Sequence, residues 1–66
     1  MRLLVNGEPR MFEGVGDVAA LVRALGLDPR KIAVERNLKI VPRSTYAAAH
    51  LADGDRLEIV QFVGGG

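Results

Sequence analysis

The alternation of apolar and polar residues near the N-terminus predicts a β-hairpin. The short apolar run of residues 2–5 precedes Asn6-Gly7, a pair suited to a tight hairpin turn because both central positions need positive φ. The return strand is predicted over residues 8–13. Because Pro9 lies near its start and cannot donate a ladder hydrogen bond, we expect this strand at or near a sheet edge.

The spacing of the next apolar residues predicts one helix of about ten residues. Asp17 is placed to cap its N-terminus, Gly26 to end it, and Asp28-Pro29 to prevent it from continuing. The apolar positions fall at i, i+3, i+4 and i+7 and are predicted to face the core: Val18, Leu21, Val22 and Leu25.

Three further strands are predicted in the second half of the chain, over residues 32–35, 39–41 and 56–62. Asn37 marks the turn between the first two of them. Ser44 is expected to cap a brief helical turn through residues 46–49. Asp53-Gly54-Asp55 is predicted to be a turn before the last strand, with structural rather than catalytic carboxylates.

The predicted order is two strands, the helix, two strands, a small helical turn and a last strand. This order fits the α+β class and the β-grasp (ubiquitin-like) arrangement, a mixed sheet of four to five strands packed on one main helix. With 66 residues the chain has room for one domain. We expect residues 1–63 to form that domain and residues 64–66 to form a flexible glycine tail.

Composition narrows the functional classes. Nearly half of the residues are apolar and a quarter are charged, which is typical of a soluble globular domain, and the net charge is +1. We therefore expect no nucleic-acid or membrane partner, and the short apolar N-terminus favours a cytoplasmic location over export. The absence of cysteine excludes disulfides, thiolate metal sites and a thiol nucleophile, and the lone His50 favours no metal.

The chemistry that this composition leaves open lies in Gly64-Gly65-Gly66. A backbone without side chains can enter a narrow tunnel and carry the Gly66 carboxylate to an enclosed site. A frayed chain end without a function would have the same sequence pattern. This carboxylate is a serviceable nucleophile toward the α-phosphate of ATP. The resulting acyl-adenylate would react with a sulfur donor to give a thiocarboxylate. Because the chain lacks a P-loop, a partner enzyme must use the ATP, and no bound cofactor is expected.

A docking patch for that partner is predicted beside the tail. Alternation in the last strand turns Leu57 and Ile59 toward the helix and places Val60 and Phe62 on the outer face of the sheet. Leu4 of the first strand is expected to share that face, and Val63 and Gly64 are predicted to contact the partner as well. Packing of these residues under a loop is an equally open interpretation.

Six short segments, spread over essentially the whole chain, carry a family resemblance. They are Val5-Asn6-Gly7, Leu25-Gly26-Leu27, Ala33-Val34-Glu35-Arg36-Asn37, Ile40-Val41-Pro42-Arg43, Asp53-Gly54-Asp55 and Phe62-Val63-Gly64-Gly65-Gly66. Together they resemble the sulfur carrier of bacterial thiazole (thiamin) biosynthesis, the ThiS family. The resemblance implies a β-grasp fold and adenylation of Gly66, with Gly65 as its companion, by an E1-like adenylyltransferase. It also implies a sulfur donor such as a cysteine desulfurase, and delivery of sulfur to thiazole synthase.

Other functions share this tail chemistry and stay open at this point. They are the small subunit of molybdopterin synthase, a ubiquitin-like modifier, and a sulfur carrier for tRNA thiolation. A different class is a β-grasp interaction module whose glycine tail has no role. As a sulfur carrier the chain is a protein co-substrate of an adenylating enzyme rather than an enzyme itself.

Overall fold

The computed structural model describes residues 1–63, and in this range five strands form one mixed sheet. The strand order across the sheet is β2-β1-β5-β3-β4. Neighbours β1 and β5 run parallel, whereas the other three neighbouring pairs are antiparallel. The strands are β1 (Arg2–Val5), β2 (Glu8–Met11), β3 (Ile32–Arg36), β4 (Lys39–Val41) and β5 (Arg56–Gln61).

The N-terminal hairpin forms as predicted. Asn6 and Gly7 both have positive φ, 51° and 82°, as a tight turn between twisted strands requires. Strand β2 lies at one edge of the sheet, where Pro9 pairs with Leu4. The strand ends at Met11, two residues earlier than predicted, although the Phe12 N–H still donates to the Met1 carbonyl at 2.8 Å.

The helix α1 spans Val18–Ala24 and is shorter than the predicted ten residues. At its N-terminus the Asp17 side chain accepts a hydrogen bond from the Ala20 N–H at 2.8 Å, which confirms the predicted cap. The apolar spacing overestimated the length of the helix, because Leu25 is already the C-terminal cap residue. Gly26 follows with φ +71° and turns the chain away.

The segment between β4 and β5 corrects one prediction. A 3-10 helix spans Arg43–Thr45, its N-cap residue is Pro42, and no side chain caps it, so Ser44 is not a cap. The helical turn thus begins earlier than predicted, and the Thr45 hydroxyl donates to the Pro42 carbonyl at 2.7 Å. A second 3-10 helix, Pro29–Lys31, was not predicted and is capped by Asp28 through the Arg30 N–H.

The core lies between α1 and the inner face of the sheet. The predicted helix face supplies three of its side chains, whereas Leu25 is only partly buried. Residues of the connecting loops cover the sides of the core. The buried hydrophobic residues are Leu3, Val5, Val15, Val18, Leu21, Val22, Ile32, Val34, Tyr46, Leu51, Leu57 and Ile59. Over the described residues, no helix is long and apolar enough to cross a membrane.

Candidate functional site at the C-terminal end of strand β5

The end of β5, which leads to the glycine tail, is held on its β3 side by the sheet ladder. Gln61 lies opposite Ile32, and the Phe62 N–H donates to the Lys31 carbonyl at 2.8 Å. Strand β5 ends at Gln61, one residue before the predicted end at Phe62. The chain is therefore anchored to the sheet up to Phe62.

The other side of β5 is held by the side chain of Asn6. The Ile59 N–H donates to Asn6 Oδ1 at 2.7 Å, and Asn6 Nδ2 donates to the Ile59 carbonyl at 3.2 Å. The side-chain amide thus hydrogen-bonds Ile59 as a strand backbone would. Sequence reasoning assigned Asn6 only to the turn, because the pattern carries no sign of a partner 53 positions away.

Within the described residues, the outer face of β5 is apolar and uncovered at its C-terminal end, as predicted. Val60 is 60% exposed, Phe62 is 55% exposed, and Val63 beyond them is 99% exposed, whereas Leu57 and Ile59 are buried against the helix. Across the ladder, Val60 pairs with Ala33, which is also exposed. We call Ala33, Val60 and Phe62 the β5 patch.

The structure places Leu4 on the same face as this patch but at a distance from it. Leu4 is half-buried and lies level with Arg56, four residues along β5 from Val60. At ~3.3 Å per residue this separation is roughly 13 Å. The prediction of the shared face is confirmed, but Leu4 is not a neighbour of Val60. An exposed apolar residue that the sequence analysis did not select is Ile40, which pairs with Glu35.

Two carboxylates lie directly opposite each other beside the β5 patch. Glu35 and Glu58 pair across the β3–β5 ladder, and neither joins a salt bridge within residues 1–63. Like charges in directly opposed positions destabilise a sheet. The outer face therefore combines apolar side chains with a local negative charge.

The predicted turn at Asp53-Gly54-Asp55 carries a carboxylate with several structural partners. The Asp55 carboxylate is buried and accepts hydrogen bonds from Arg36 Nε, Asn37 Nδ2 and the Ala52 N–H, at 2.9, 3.0 and 2.8 Å. Burial opposes ionisation, but the hydrogen bonds from Asn37, Ala52 and Arg36 outweigh it and hold the pKa of Asp55 below its ordinary value. This confirms a structural role for that turn.

Asp53 and Arg43 also contact the protein itself. The Asp53 carboxylate accepts a hydrogen bond from the Arg2 N–H at 2.6 Å. The Arg43 guanidinium donates to the Pro29 and Arg30 carbonyls at 2.8 and 3.4 Å. Within residues 1–63, His, Asp and Glu side chains do not gather in any group of three that could hold a metal ion.

The predicted reactive residues, Gly65 and Gly66, and the predicted partner contact Gly64 lie outside the described residues. What the structure provides is the base from which they extend. A five-stranded mixed sheet in this order, packed on one helix and with its last strand at the centre, defines a β-grasp, ubiquitin-like protein.

Comparison with known proteins defines the family. The ThiS family model matches residues 3–66. The sulfur carrier protein ThiS of Bacillus subtilis is 35% identical over 65 residues, which cover 97% of this chain and 98% of that protein. The crystal structure of the thiamine biosynthesis protein (ThiS) from Geobacter metallireducens matches with a TM-score of 0.84 and 35% identity, and each chain is fully covered. The chain belongs to the ThiS family.

A longer relative matches even more strongly in sequence. The thiazole synthase of Paramagnetospirillum magneticum is 58% identical over all 66 residues of this chain. The chain spans only 20% of the length of that relative. A segment similar to this chain therefore also occurs within a much longer protein.

Proposed function

We propose that this chain is a sulfur carrier in thiamin biosynthesis, acting in formation of the thiazole. The observation that supports this most directly is the match to a relative named as a sulfur carrier, which covers 98% of that protein's length. In this function the chain is a protein co-substrate, not an enzyme. We further propose that it acts in the cytoplasm.

The proposed reaction takes place at the carboxylate of Gly66. An E1-like adenylyltransferase binds ATP, and a Gly66 carboxylate oxygen attacks the α-phosphate, which releases pyrophosphate and leaves an acyl-adenylate. The outer sulfur of a persulfide on a cysteine desulfurase or a similar donor displaces AMP and forms an acyl disulfide. A thiol then reduces its S–S bond, which leaves the thiocarboxylate on Gly66 and a disulfide on the donor side. Thiazole synthase then takes the sulfur, and hydrolysis regenerates the carboxylate. The chain itself binds no cofactor in this scheme.

The thiazole pathway is favoured over the alternatives by the long relative. Its name is thiazole synthase, and one fifth of its length is similar to this chain. A carrier joined to, or working beside, the enzyme that consumes its sulfur is a simple explanation for that similarity. Molybdopterin synthesis, tRNA thiolation and protein modification have no corresponding support among these relatives.

We propose that the adenylyltransferase, the enzyme that first receives the tail, docks on the β5 patch and on Val63 and Gly64 beyond it. A partner complementary to this face would present apolar side chains to Val60 and Phe62, and a lysine or arginine to the Glu35–Glu58 pair. Leu4 would contact only a partner surface that extends roughly 13 Å farther along the sheet.

Mass spectrometry of the protein purified from its native cell tests the carrier function. We expect a polypeptide that ends at Gly66, with one oxygen of Gly66 replaced by sulfur. Fragmentation is needed because oxidation of Met1 or Met11 adds nearly the same mass. The matched control is the same chain with a Gly66 carboxamide, which should stay unmodified in the presence of ATP, the adenylyltransferase and the sulfur donor.

Two outcomes would contradict the proposal. The first is a native chain that stays unmodified at Gly66 even with ATP, a sulfur source and cell extract. The second is a variant lacking Gly65 and Gly66 that still supports sulfur transfer. Unchanged partner binding by that variant, without any sulfur chemistry in the full chain, would instead support an interaction module.

A further inference from the structure

Strand β5 extends beyond its parallel neighbour β1. The two strands are in register at Leu4 with Arg56 and at Val5 with Leu57, and β1 then ends at the hairpin turn. Strand β5 continues to Gln61. Its last four residues therefore have β3 on one side but no strand on the other within the described part of the chain.

The hydrogen bonds along this edge follow a regular series. The Leu4 N–H donates to the Asp55 carbonyl at 3.0 Å, and the Asn6 N–H donates to the Leu57 carbonyl at 2.8 Å. The Asn6 side chain then pairs with both backbone groups of Ile59. The next residue in the series is Gln61.

The backbone of Gln61 points toward this open edge. Alternate residues of a strand direct their N–H and C=O groups to the same side. Phe62 bonds β3, through the Lys31 carbonyl, so Gln61 points the other way, as Leu57 and Ile59 do. Gln61 thus offers one donor and one acceptor where β1 has already turned away.

A cleft of about 260 Å³ lies beside this edge. Leu25 and Leu27, both half-buried, form its apolar wall together with Ile59. Arg10 also lines the cleft, and its guanidinium carbon is 5.3 Å from the centre of the Phe12 ring. This contact favours a defined position for the positive charge.

We propose that this cleft takes an extended segment of thiazole synthase, which pairs with the backbone of Gln61 and adds a strand to the sheet. The segment places an apolar side chain against Leu25 and Leu27 and an acidic side chain against Arg10. The open donor and acceptor supply the main-chain recognition, and the cleft and the charge supply the selectivity. The choice of partner rests on the proposed function and on the relative named thiazole synthase.

A pair of substitutions at Gln61 isolates the backbone contact. Gln61→Pro removes the N–H, and proline is tolerated at an open strand edge because no ladder bond from that residue is lost. Gln61→Ala removes the side chain but keeps the N–H. One lost hydrogen bond corresponds to roughly a 2- to 12-fold loss of affinity. The proline ring also obstructs strand addition. We therefore expect the affinity for thiazole synthase to fall about tenfold in Gln61→Pro and less than about threefold in Gln61→Ala.

The experiment measures binding of the full chain and of both variants to purified thiazole synthase, together with amide exchange of Gln61 in the free and bound wild-type chain. Thermal unfolding of each variant checks that the fold is kept. The proposal expects slower Gln61 exchange in the complex and a loss of affinity specific to Gln61→Pro. If Gln61→Pro does not fold, the exchange of the wild-type amide decides alone.

The possible failures are distinguishable. A complex in which Gln61 exchanges as fast as in the free chain overturns strand addition while leaving the carrier function intact. Equal affinities of Gln61→Pro and Gln61→Ala do the same. If thiazole synthase does not bind the chain at all, both this inference and the proposed partner are wrong.

Discussion

Replacing Asn6 with glycine should detach the end of β5 from the hairpin without disturbing the hairpin turn. Asn6 has φ +51°, a conformation that glycine adopts freely, so the turn itself can be kept. The substitution removes both hydrogen bonds to Ile59, which measure 2.7 and 3.2 Å. It also leaves the backbone polar groups of a buried residue without these partners.

The expected loss is about 2 kcal/mol of unfolding free energy, since each partly buried hydrogen bond contributes roughly 0.5–1.5 kcal/mol. Two backbone effects of glycine nearly cancel. It relieves the left-handed strain, which for asparagine is below the roughly 1–2 kcal/mol of other residues, and it adds about 0.5–1 kcal/mol of unfolded-state entropy. For a domain of this size, 2 kcal/mol lowers Tm by roughly 8–16 °C.

Urea unfolding and amide exchange of Ile59 measure this effect. Asn6→Asp is the matched variant, because it keeps an acceptor for the Ile59 N–H but loses the donor to the Ile59 carbonyl. We expect Asn6→Gly to accelerate Ile59 exchange, whereas Asn6→Asp should retain more of the N–H protection. If Asn6→Gly unfolds within about 0.5 kcal/mol of wild type and Ile59 exchange is unchanged, the hydrogen bonds have no energetic role and the reasoning is wrong.

Three further changes test other parts of the fold by urea unfolding. Asp55→Ala should lower the free energy of unfolding by about 2–3 kcal/mol, and the exposed control Asp53→Ala should lower it by less than about 1 kcal/mol. Equal losses would contradict a stabilising role of the Asp55 hydrogen bonds. Because the folded-state pKa of Asp55 is lowered, its contribution should be present above pH 3.8 and lost as the pH falls through the folded pKa, and Asp55→Asn should remove this dependence. Asp17→Ala should cost about 1 kcal/mol and Asp17→Asn much less, and equal losses would argue against the cap. Leu38→Gly should be neutral or stabilise by up to about 1 kcal/mol, since Leu38 is exposed with φ +71°; a loss above about 1 kcal/mol would reveal a contact of its side chain.

The elements that the sequence predicted correctly are those with local signals. Asn6-Gly7 specifies its turn through the conformations of two adjacent residues, and Asp17 caps a helix that begins at the next position. The apolar spacing identified the buried face of α1. The alternation in β5 also separated buried Ile59 from exposed Val60.

The predictions that failed concern boundaries and competition between neighbouring signals. Leu25 continues the apolar spacing of α1, but the requirement for Gly26 to turn the chain ends the helix first. Ser44 is a good capping residue by type, yet the 3-10 helix begins at Arg43, directly after Pro42. Residue preferences alone do not decide which of two adjacent signals prevails.

The interactions that build the site could not be predicted because they join distant segments. Asn6 meets Ile59 across 53 positions, and Asp55 meets Arg36 across 19. Both contacts depend on the parallel register of β1 and β5 and on the register of β3 with β5. The separation of Leu4 from Val60 follows from the same registers, which the alternation of apolar residues does not specify.

The two sides of β5 give a sulfur carrier what its proposed reaction cycle needs. The end of the strand is held from one side by the Lys31 carbonyl and from the other by Asn6, so the base of the tail has a defined position before any enzyme binds. The surfaces that we propose for the partner enzymes are different ones: the β5 patch on the outer face, and the Gln61 edge with its cleft on the helix side. A carrier that presents one carboxylate to two enzymes in turn benefits from this separation. Each enzyme can recognise its own surface while the position of the tail base stays the same.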